Sequence, residues 1–201
     1  MKNKITVLII TIIAGFLIVG CGTTSKITKM ELKIQKKAVK MNDKGAFATV
    51  GIGVAPASRH DIGRSKAKSD ALQKMSEAKK AYIEATTHDF REEIGADKNA
   101  EVNDVFTSIT DVVSANILKG ARIIEFDAFQ SKANKDDGQY TYLVLLAITP
   151  EHTYQSLMDE FKNNTRGSEM NLYQRYVDSE AKKNHDIKIK KFKEEFSVKD
   201  Y

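Results

Sequence analysis

Alternating apolar and polar positions predict a first β-strand over residues 47–54. Its aliphatic face consists of Val50, Ile52 and Val54. Its other, nearly bare face consists of Thr49, Gly51 and Gly53. Glycines inside a strand often accompany the close approach of another backbone. The bare face is therefore either open to a neighbour or an added strand, or covered by the second or the last of the helices predicted below, and the pattern leaves both alternatives open.

Two amphipathic helices are predicted after this strand. In the first, apolar residues recur at spacings of three and four over residues 67–82. Residues 58–61 fit a capping box before this helix, and Gly95 is expected to end it. The second helix has its apolar stripe within residues 102–117 and is expected to end at Gly120.

A β-hairpin is predicted next. Residues 124–129 alternate in polarity, residues 134–138 are rich in turn formers, and residues 140–148 form a strongly apolar strand. Thr149 and Pro150 then supply an N-cap and a first-turn proline for another helix.

A final helix is predicted from Ser168 into the 190s. Its apolar stripe consists of Tyr173, Tyr176, Val177, Ile189, Phe192 and Phe196. The rest of this helix is mostly charged. It is expected either to pack on its own domain or to meet a neighbouring subunit.

These elements predict an α+β fold: a small three-stranded antiparallel or mixed sheet packed by a long amphipathic helix, with additional C-terminal helices. The domain organisation follows from the same pattern. Residues 1–20 are predicted to be a signal peptide, 21–45 a lysine-rich tether beginning with a lipidated cysteine, 46–165 the α+β domain and 166–201 a charged helical extension.

The N-terminus has the three parts of a lipoprotein signal peptide. Lys2 and Lys4 precede a nearly continuous apolar run over residues 5–19, which is short for a membrane-spanning helix. Residues 18–21 resemble the lipobox of bacterial lipoproteins. The chain has a single cysteine, Cys21, and it lies at the position where lipidation would require it. Cleavage before Cys21 and anchoring by acyl chains, such as palmitate, are therefore expected.

Charge divides the chain into segments. Residues 22–45 contain seven lysines and two acids, whereas residues 46–181 contain 16 basic and 21 acidic residues. A basic segment beside a lipid anchor is expected either to lie on anionic head groups or to be a solvated spacer. Because the central domain is acidic and the chain carries an export signal, nucleic-acid binding is not expected.

No catalytic or cofactor motif stands out. The Gly51-x-Gly53 pattern has Pro56 where a dinucleotide fingerprint needs its third glycine. The four histidines lie on separate predicted segments without metal-ligand spacing, so they are expected at the surface. We therefore expect a non-enzymatic protein without a cofactor or metal. Those histidines are His60, His88, His152 and His185.

The lipobox cysteine, the strand 48–53, the helix containing Ala67, Ala71 and Leu72, and the late strand 140–144 together resemble the LPP-twenty lipoproteins. The resemblance covers roughly residues 46–150. Similar domains occur in the flagellar lipoprotein FlgP and in the N-terminal part of FlgT. The resemblance implies an envelope domain used for association, and it supplies no catalytic residues. The lysine-rich tether and the charged C-terminal helix of this chain depart from the family.

The resulting expectation is a lipid-anchored cell-envelope lipoprotein, at the outer membrane if the host has two. It would act as a structural or interaction module that forms a homo-oligomer or docks on other envelope proteins. The alternative is a lipoprotein that captures a small molecule or an envelope polymer between the sheet and the C-terminal helices. The candidate association surface consists of Thr49, Gly51, Gly53, Tyr173, Tyr176 and Phe192.

Overall fold

The computed structural model describes residues 29–130, 138–163 and 172–196 of the 201-residue chain. In chain order, its helices and strands are α1 (Lys29–Asp43), β1 (Phe47–Pro56), α2 (His60–Glu93), α3 (Ala100–Asn116), β2 (Arg122–Phe129), β3 (Gln139–Ile148), α4 (Pro150–Asn163), α5 (Leu172–Val177) and α6 (Glu180–Glu195). The predicted α+β class is confirmed, with a long helix packed against a three-stranded sheet.

The last strand in the chain, β3, lies in the middle of the antiparallel sheet, whose order is β1-β3-β2. β1 pairs with β3 in unbroken register from Phe47 opposite Ile148 to Pro56 opposite Gln139. On the other side, the two strands of the predicted hairpin, β2 and β3, pair as expected, with a bulge after Ile123. The predicted turn at residues 134–138 lies mostly outside the described residues. Residues 141–148 of β3 are all buried, as expected for a central strand with both faces covered.

Helix α2, 34 residues long, covers one face of the sheet through small residues. Its Gly63, Ala67 and Ala71 are buried. A Cβ atom added at Gly51 would collide with the carbonyl oxygen of Ala67, and one added at Gly53 would meet that of Gly63. The helix and strand backbones therefore nearly touch. The bare face of β1 is the face that α2 covers, so it is not open to a neighbour. The alternative, cover by the second predicted helix or the C-terminal helix, is wrong as well, because the long helix itself packs there.

The second half of α2 contributes to a cluster of aromatic rings with α3, α4 and α5. The ring centroids of Phe90, Phe106, Phe161 and Tyr176 lie 5.2–5.7 Å apart in tilted or edge-to-face pairs. Edge-to-face geometry brings positive ring edges against negative ring faces, which adds to the burial of apolar area. This cluster joins the C-terminal helices to the core behind the sheet.

Helix α1 covers the opposite face of the sheet. Its Ile34, Ala38 and Met41 pack in a second core with β1 and β3 residues, together with Phe192 and Phe196 from the end of α6. The tether predicted over residues 21–45 is therefore wrong for Lys29–Asp43. Its apolar residues, at spacings of four and three, form the buried stripe of a helix.

Two carboxylates fix α1 at its flank, and each one pairs with two lysines. Glu125 of β2 lies 3.3 Å from Lys33 and 2.9 Å from Lys37. Glu195 of α6 pairs with Lys40 and, at 2.9 Å, with Lys44. These pairs connect α1 to the β2 side of the sheet and to the end of α6.

The C-terminal helix predicted from Ser168 into the 190s is wrong as a single helix. The described residues form α5 and α6, which are separated at Asp178 and Ser179. The Ser179 hydroxyl donates to the carbonyl oxygen of Tyr176 at 2.6 Å and accepts from the backbone N–H of Lys182 at 3.0 Å. Ser179 therefore stabilises the end of one helix and the N-terminus of the next.

Predicted helix ends are confirmed in two places and wrong in one. Gly95 has a positive φ of 71°, which suits the chain reversal after α2. The Thr149 hydroxyl accepts from the backbone N–H of His152 at 3.3 Å at the start of α4. The capping box at residues 58–61 does not form, because α2 is preceded by Arg59 without a side-chain cap hydrogen bond.

Candidate interaction surface

The predicted association surface is largely interior. Gly51 and Gly53 are buried against α2, and Tyr176 and Phe192 are 1% and 3% exposed. Thr49 and Tyr173 are half-buried. These residues do not form one surface, and Cys21 lies outside the described residues.

The aliphatic face of β1 is the one that remains partly open. Ile52 and Val54 are 39% and 41% exposed, while Gly51, Gly53 and Ala55 on the opposite face are buried. The more deeply buried face at this end of β1 is therefore the one with the smaller side chains. The close approach of α2 favours residues without bulk, and the larger side chains of β1 point to the other side.

Helix α2 also covers the free edge of β1. The backbone N–H of Ile52 donates to the Asp70 carboxylate at 2.8 Å. The ammonium groups of Lys74 and Lys66 donate to the carbonyl oxygens of Val50 and Val54, both at 3.1 Å. An added strand would have to displace these charged side chains, so β1 is protected against edge-to-edge pairing.

The edge formed by β2 differs from the β1 edge in the partners of its outward-facing backbone groups. Because the backbone groups of Val50, Ile52 and Val54 point outward from β1, those of Gly51 and Gly53 point towards β3. Along β3, too, the backbone groups of successive residues point alternately towards β1 and towards β2.

The register then directs the backbone groups of Glu125 and Asp127 towards β3 and those of Phe126 and Ala128 outward. In the part of the chain that the structure describes, no hydrogen-bond partner occupies these outward groups.

The side chains along this open edge have two characters. Phe126, 36% exposed, lies on the α2 face, where its ring is stacked near Tyr142 and the Arg64 guanidinium lies 5.2 Å from the ring centroid. Glu125 and Asp127 lie on the α1 face. The open edge of β2 is therefore apolar on one face and acidic on the other.

The two acids differ in their surroundings. Partial burial raises the pKa of Glu125, but hydrogen bonds from Lys37 and Lys33 outweigh it, so the pKa is lowered from its ordinary value. Asp127 has no ion-pair partner among the described residues. Its uncompensated charge lies beside the outward-facing backbone of Phe126 and Ala128 and would attract a basic side chain on an added strand.

A second region of interest is a buried polar cluster around His185, which was predicted to be at the surface and is 3% exposed. Its Nδ1 lies 2.5 Å from the Tyr176 hydroxyl and its Nε2 lies 3.2 Å from the Thr86 carbonyl oxygen. Because a carbonyl only accepts, Nε2 carries the hydrogen and Tyr176 donates to Nδ1. The Tyr154 ring stacks on the imidazole at a centroid distance of 3.8 Å.

Burial, assisted by the nearby charge of Lys188, lowers the pKa of His185 to about 4. Burial raises the pKa of the Tyr154 and Tyr176 hydroxyls. All three rings are therefore uncharged near neutral pH. Of the other histidines, His60 and His88 are exposed, as predicted, and His152 is half-buried.

A cavity of about 200 Å³ adjoins this cluster between α4, α5 and α6. Tyr154, Tyr176 and His185 contribute to its wall, as do the apolar Met158 and Ile189. Pockets for small molecules usually measure about 300–1,000 Å³. This one is below that range.

The two regions differ in how far the sequence pattern could have predicted them. The β2 edge is open because β3, the next strand in the chain, pairs between β2 and β1. A signal for the buried histidine exists, since His185 falls four residues from Ala181 and Ile189, on the apolar stripe of α6.

Comparisons of the chain with protein-family models, curated proteins and solved structures found no match. Within residues 29–130, 138–163 and 172–196, no helix is long and apolar enough to cross a membrane. The same residues contain no group of three or more His, Cys, Asp or Glu side chains arranged to hold a metal ion.

Proposed function

We propose that this chain is a lipid-anchored lipoprotein of the bacterial cell envelope whose domain acts as an interaction module. The anchor is Cys21, preceded by the signal-peptide pattern of residues 1–20. The observation that carries the interaction role is the contrast between the two sheet edges. β1 is closed by α2 side chains, whereas β2 presents outward backbone groups beside an exposed Phe126.

The module binds an extended segment of another envelope protein, which adds a fourth strand beside β2. Main-chain hydrogen bonds supply affinity in this mode of recognition, and alternate side chains supply specificity. Apolar side chains of the segment meet Phe126 and Ala128, and basic side chains meet Glu125 and Asp127.

Pairing of β2 with β2 of a second copy is less favourable. Two copies of β2 could pair antiparallel about a two-fold axis at any of residues 125–127. Glu125 or Asp127 of one copy then lies opposite the same acid, or the other acid, of the second copy. Like charges directly opposite each other destabilise a strand pair. The interaction therefore favours a heterologous partner over self-association.

Site-specific photocrosslinking in the native envelope tests this proposal. A photoreactive phenylalanine analogue at Phe126 is expected to crosslink a partner, whereas the same analogue at the similarly exposed Ile52 is the matched control on the closed β1 edge. The N–H group of Ala128 points away from β3, so Ala128→Pro removes it without breaking a hydrogen bond between β2 and β3. This variant is expected to abolish crosslinking at position 126 while the melting temperature changes little. Equal crosslinking from both positions would contradict the proposal.

The anchor needs its own experiment. Labelled palmitate is expected to be incorporated into the native chain and to be absent from Cys21→Ala. Retained labelling in this variant would place the lipid elsewhere and refute the assignment of Cys21.

The cavity beside His185 supports a second candidate function, the capture of a small molecule. Its volume of about 200 Å³ suits only a fragment-sized ligand, and for this reason it ranks second. A ligand that binds there would raise the melting temperature with concentration, and Met158→Trp, which fills the cavity, would abolish that shift.

A further inference from the structure

The outer surface of α1 has a composition that its packing role does not require. The helix buries Ile34, Ala38 and Met41 against the sheet. Its opposite, solvent-facing stripe recurs at spacings of three and four and consists of Lys29, Leu32, Lys36 and Val39. Leu32 is 44% exposed and Val39 is 56% exposed. Two aliphatic side chains and two lysines thus share the outermost face of the domain on this side.

The charge of this face remains positive after the ion pairs of α1 are considered. Glu125 and Glu195 each pair with two lysines, so each group keeps an excess of one positive charge. Lys29 and Lys36 have no carboxylate partner among the described residues. These two lysines can therefore contact an anionic surface without breaking an ion pair.

Further apolar side chains lie on the same side of the sheet. α1 and β1 are joined by the short segment 44–46, and both pack along the same core, so they run in opposite directions. The beginning of α1 and the end of β1 are therefore at the same end of the domain. There Met30 is 36% exposed, and Ile52 and Val54 are about equally exposed.

The position of the proposed lipid anchor relative to α1 indicates that a membrane surface contacts the outer stripe of this helix. Residues 22–28 are the only residues between Cys21 and Lys29. Even fully extended, a segment of this length spans at most about 25 Å. An acylated Cys21 would therefore keep the beginning of α1 close to the lipid head groups.

We propose that the outer stripe of α1, formed by Lys29, Leu32, Lys36 and Val39, lies on an anionic membrane surface and orients the domain on it. The proposal rests on the lipid anchor of the proposed function. The lysines contact anionic head groups, while Leu32 and Val39 enter the interface between head groups and acyl chains. In this orientation the membrane and α2 lie on opposite sides of the sheet, and the β2 edge stays accessible from the side.

The test uses the unlipidated chain of residues 22–201, which retains every described helix and strand, with its fold checked by circular dichroism. Because the protein has no tryptophan, Val39→Trp introduces a single fluorescent reporter on the proposed contact face. Val112→Trp, at a site 39% exposed on α3, is the matched control. Vesicles of phosphatidylcholine and phosphatidylglycerol at about two to one are expected to shift the emission of the reporter on α1 to shorter wavelength and leave that of the reporter on α3 unchanged.

Charge reversal provides the second measurement. Lys29→Glu combined with Lys36→Glu is expected to weaken cosedimentation with these vesicles by about tenfold or more, because both contacts become repulsive. Lys68→Glu combined with Lys98→Glu changes the net charge equally at exposed sites away from α1 and is expected to reduce binding much less.

Equal binding to pure phosphatidylcholine vesicles, equal losses in the two charge-reversed pairs, or an emission shift from the reporter on α3 would each overturn the proposal. These outcomes are distinguishable from failure of the proposed function. Palmitate incorporation and crosslinking at Phe126 report on the anchor and the partner without requiring contact between α1 and lipid.

Discussion

The two faces of the sheet are covered by helices that are held in different ways. On one face, α2 lies so close to β1 that Gly51 and Gly53 have no room for a side chain. On the other face, α1 packs through a short apolar stripe and is fixed at its flank by Glu125 and Glu195. The first contact depends on shape and excludes water, whereas the second combines modest burial with screened charges. Changes on the α2 side are therefore expected to lower stability more than changes on the α1 side.

Gly51→Ala should have the largest effect. The added Cβ would collide with the Ala67 carbonyl and Ala71, which are backbone and short side-chain atoms that cannot move aside cheaply. The free energy of unfolding, measured by urea titration, is expected to fall by more than about 3 kcal/mol. Val54→Thr, an exposed change on the opposite face of the same strand, is the control and should alter it by less than about 0.5 kcal/mol.

Acidification should act next, through His185 on the α2 side. Its pKa is 6.5 in the unfolded chain and about 4 when folded, so between these values the unfolded state binds a proton that the folded state does not. Stability is fully present above pH 6.5 and falls by about 3 kcal/mol as the pH drops to 4. His185→Gln should flatten this slope in urea titrations at several pH values, whereas His88→Gln should not.

Ile34→Ala tests the α1 face directly. Removing this fully buried side chain should lower the free energy of unfolding by about 2–3 kcal/mol and release α1 before the rest of the domain. Brief trypsin digestion followed by mass spectrometry should show early cleavage at the lysines of α1, with the segment from β1 onward intact. Simultaneous cleavage throughout the chain would show that α1 is integral to one cooperative unit.

Glu125→Gln should have the smallest effect. The two lysine pairs are partly exposed and screened by salt, so less than about 1 kcal/mol should be lost, and less still in high salt. Because the pKa of Glu125 is lowered, its contribution is present above pH 4.5 and is lost as the pH falls through the lower folded value. The native protein should therefore lose stability in that acid range, whereas Glu125→Gln should not. This difference would distinguish the contribution of Glu125 from that of His185.

Sequence patterns predicted the strands and the long helix because burial of one face imposes a period of two or of 3.6 residues. They failed for α1, where lysines surround the apolar stripe of Ile34, Ala38 and Met41 and the segment was interpreted as a tether. They also failed for the bare face of β1. Large side chains are a good guide to burial only when the covering element lies at ordinary distance, and α2 lies closer than that.

The candidate surface was less predictable than the fold. Whether a strand edge is open depends on which strand lies in the middle and on where distant side chains such as Asp70 and Lys74 reach. Tyr176 and Phe192 were assigned to a surface because the apolar stripe of the predicted C-terminal helix could meet a neighbouring subunit. They are instead among the residues that attach α5 and α6 to the two cores. Amphipathicity shows that a face will be buried, but not by which partner.

The central position of β3 also has a consequence for the order in which the fold can be completed. β1 finds its partner about a hundred residues later in the chain, so the sheet cannot close until β3 has emerged from the ribosome. Until then neither β1 nor β2 has a strand to pair with, and only contacts such as those between β1 and α2 are available. A nascent chain that lacks its sheet for most of its synthesis could still thread through a secretion pore, as the export assumed in the proposed function would require.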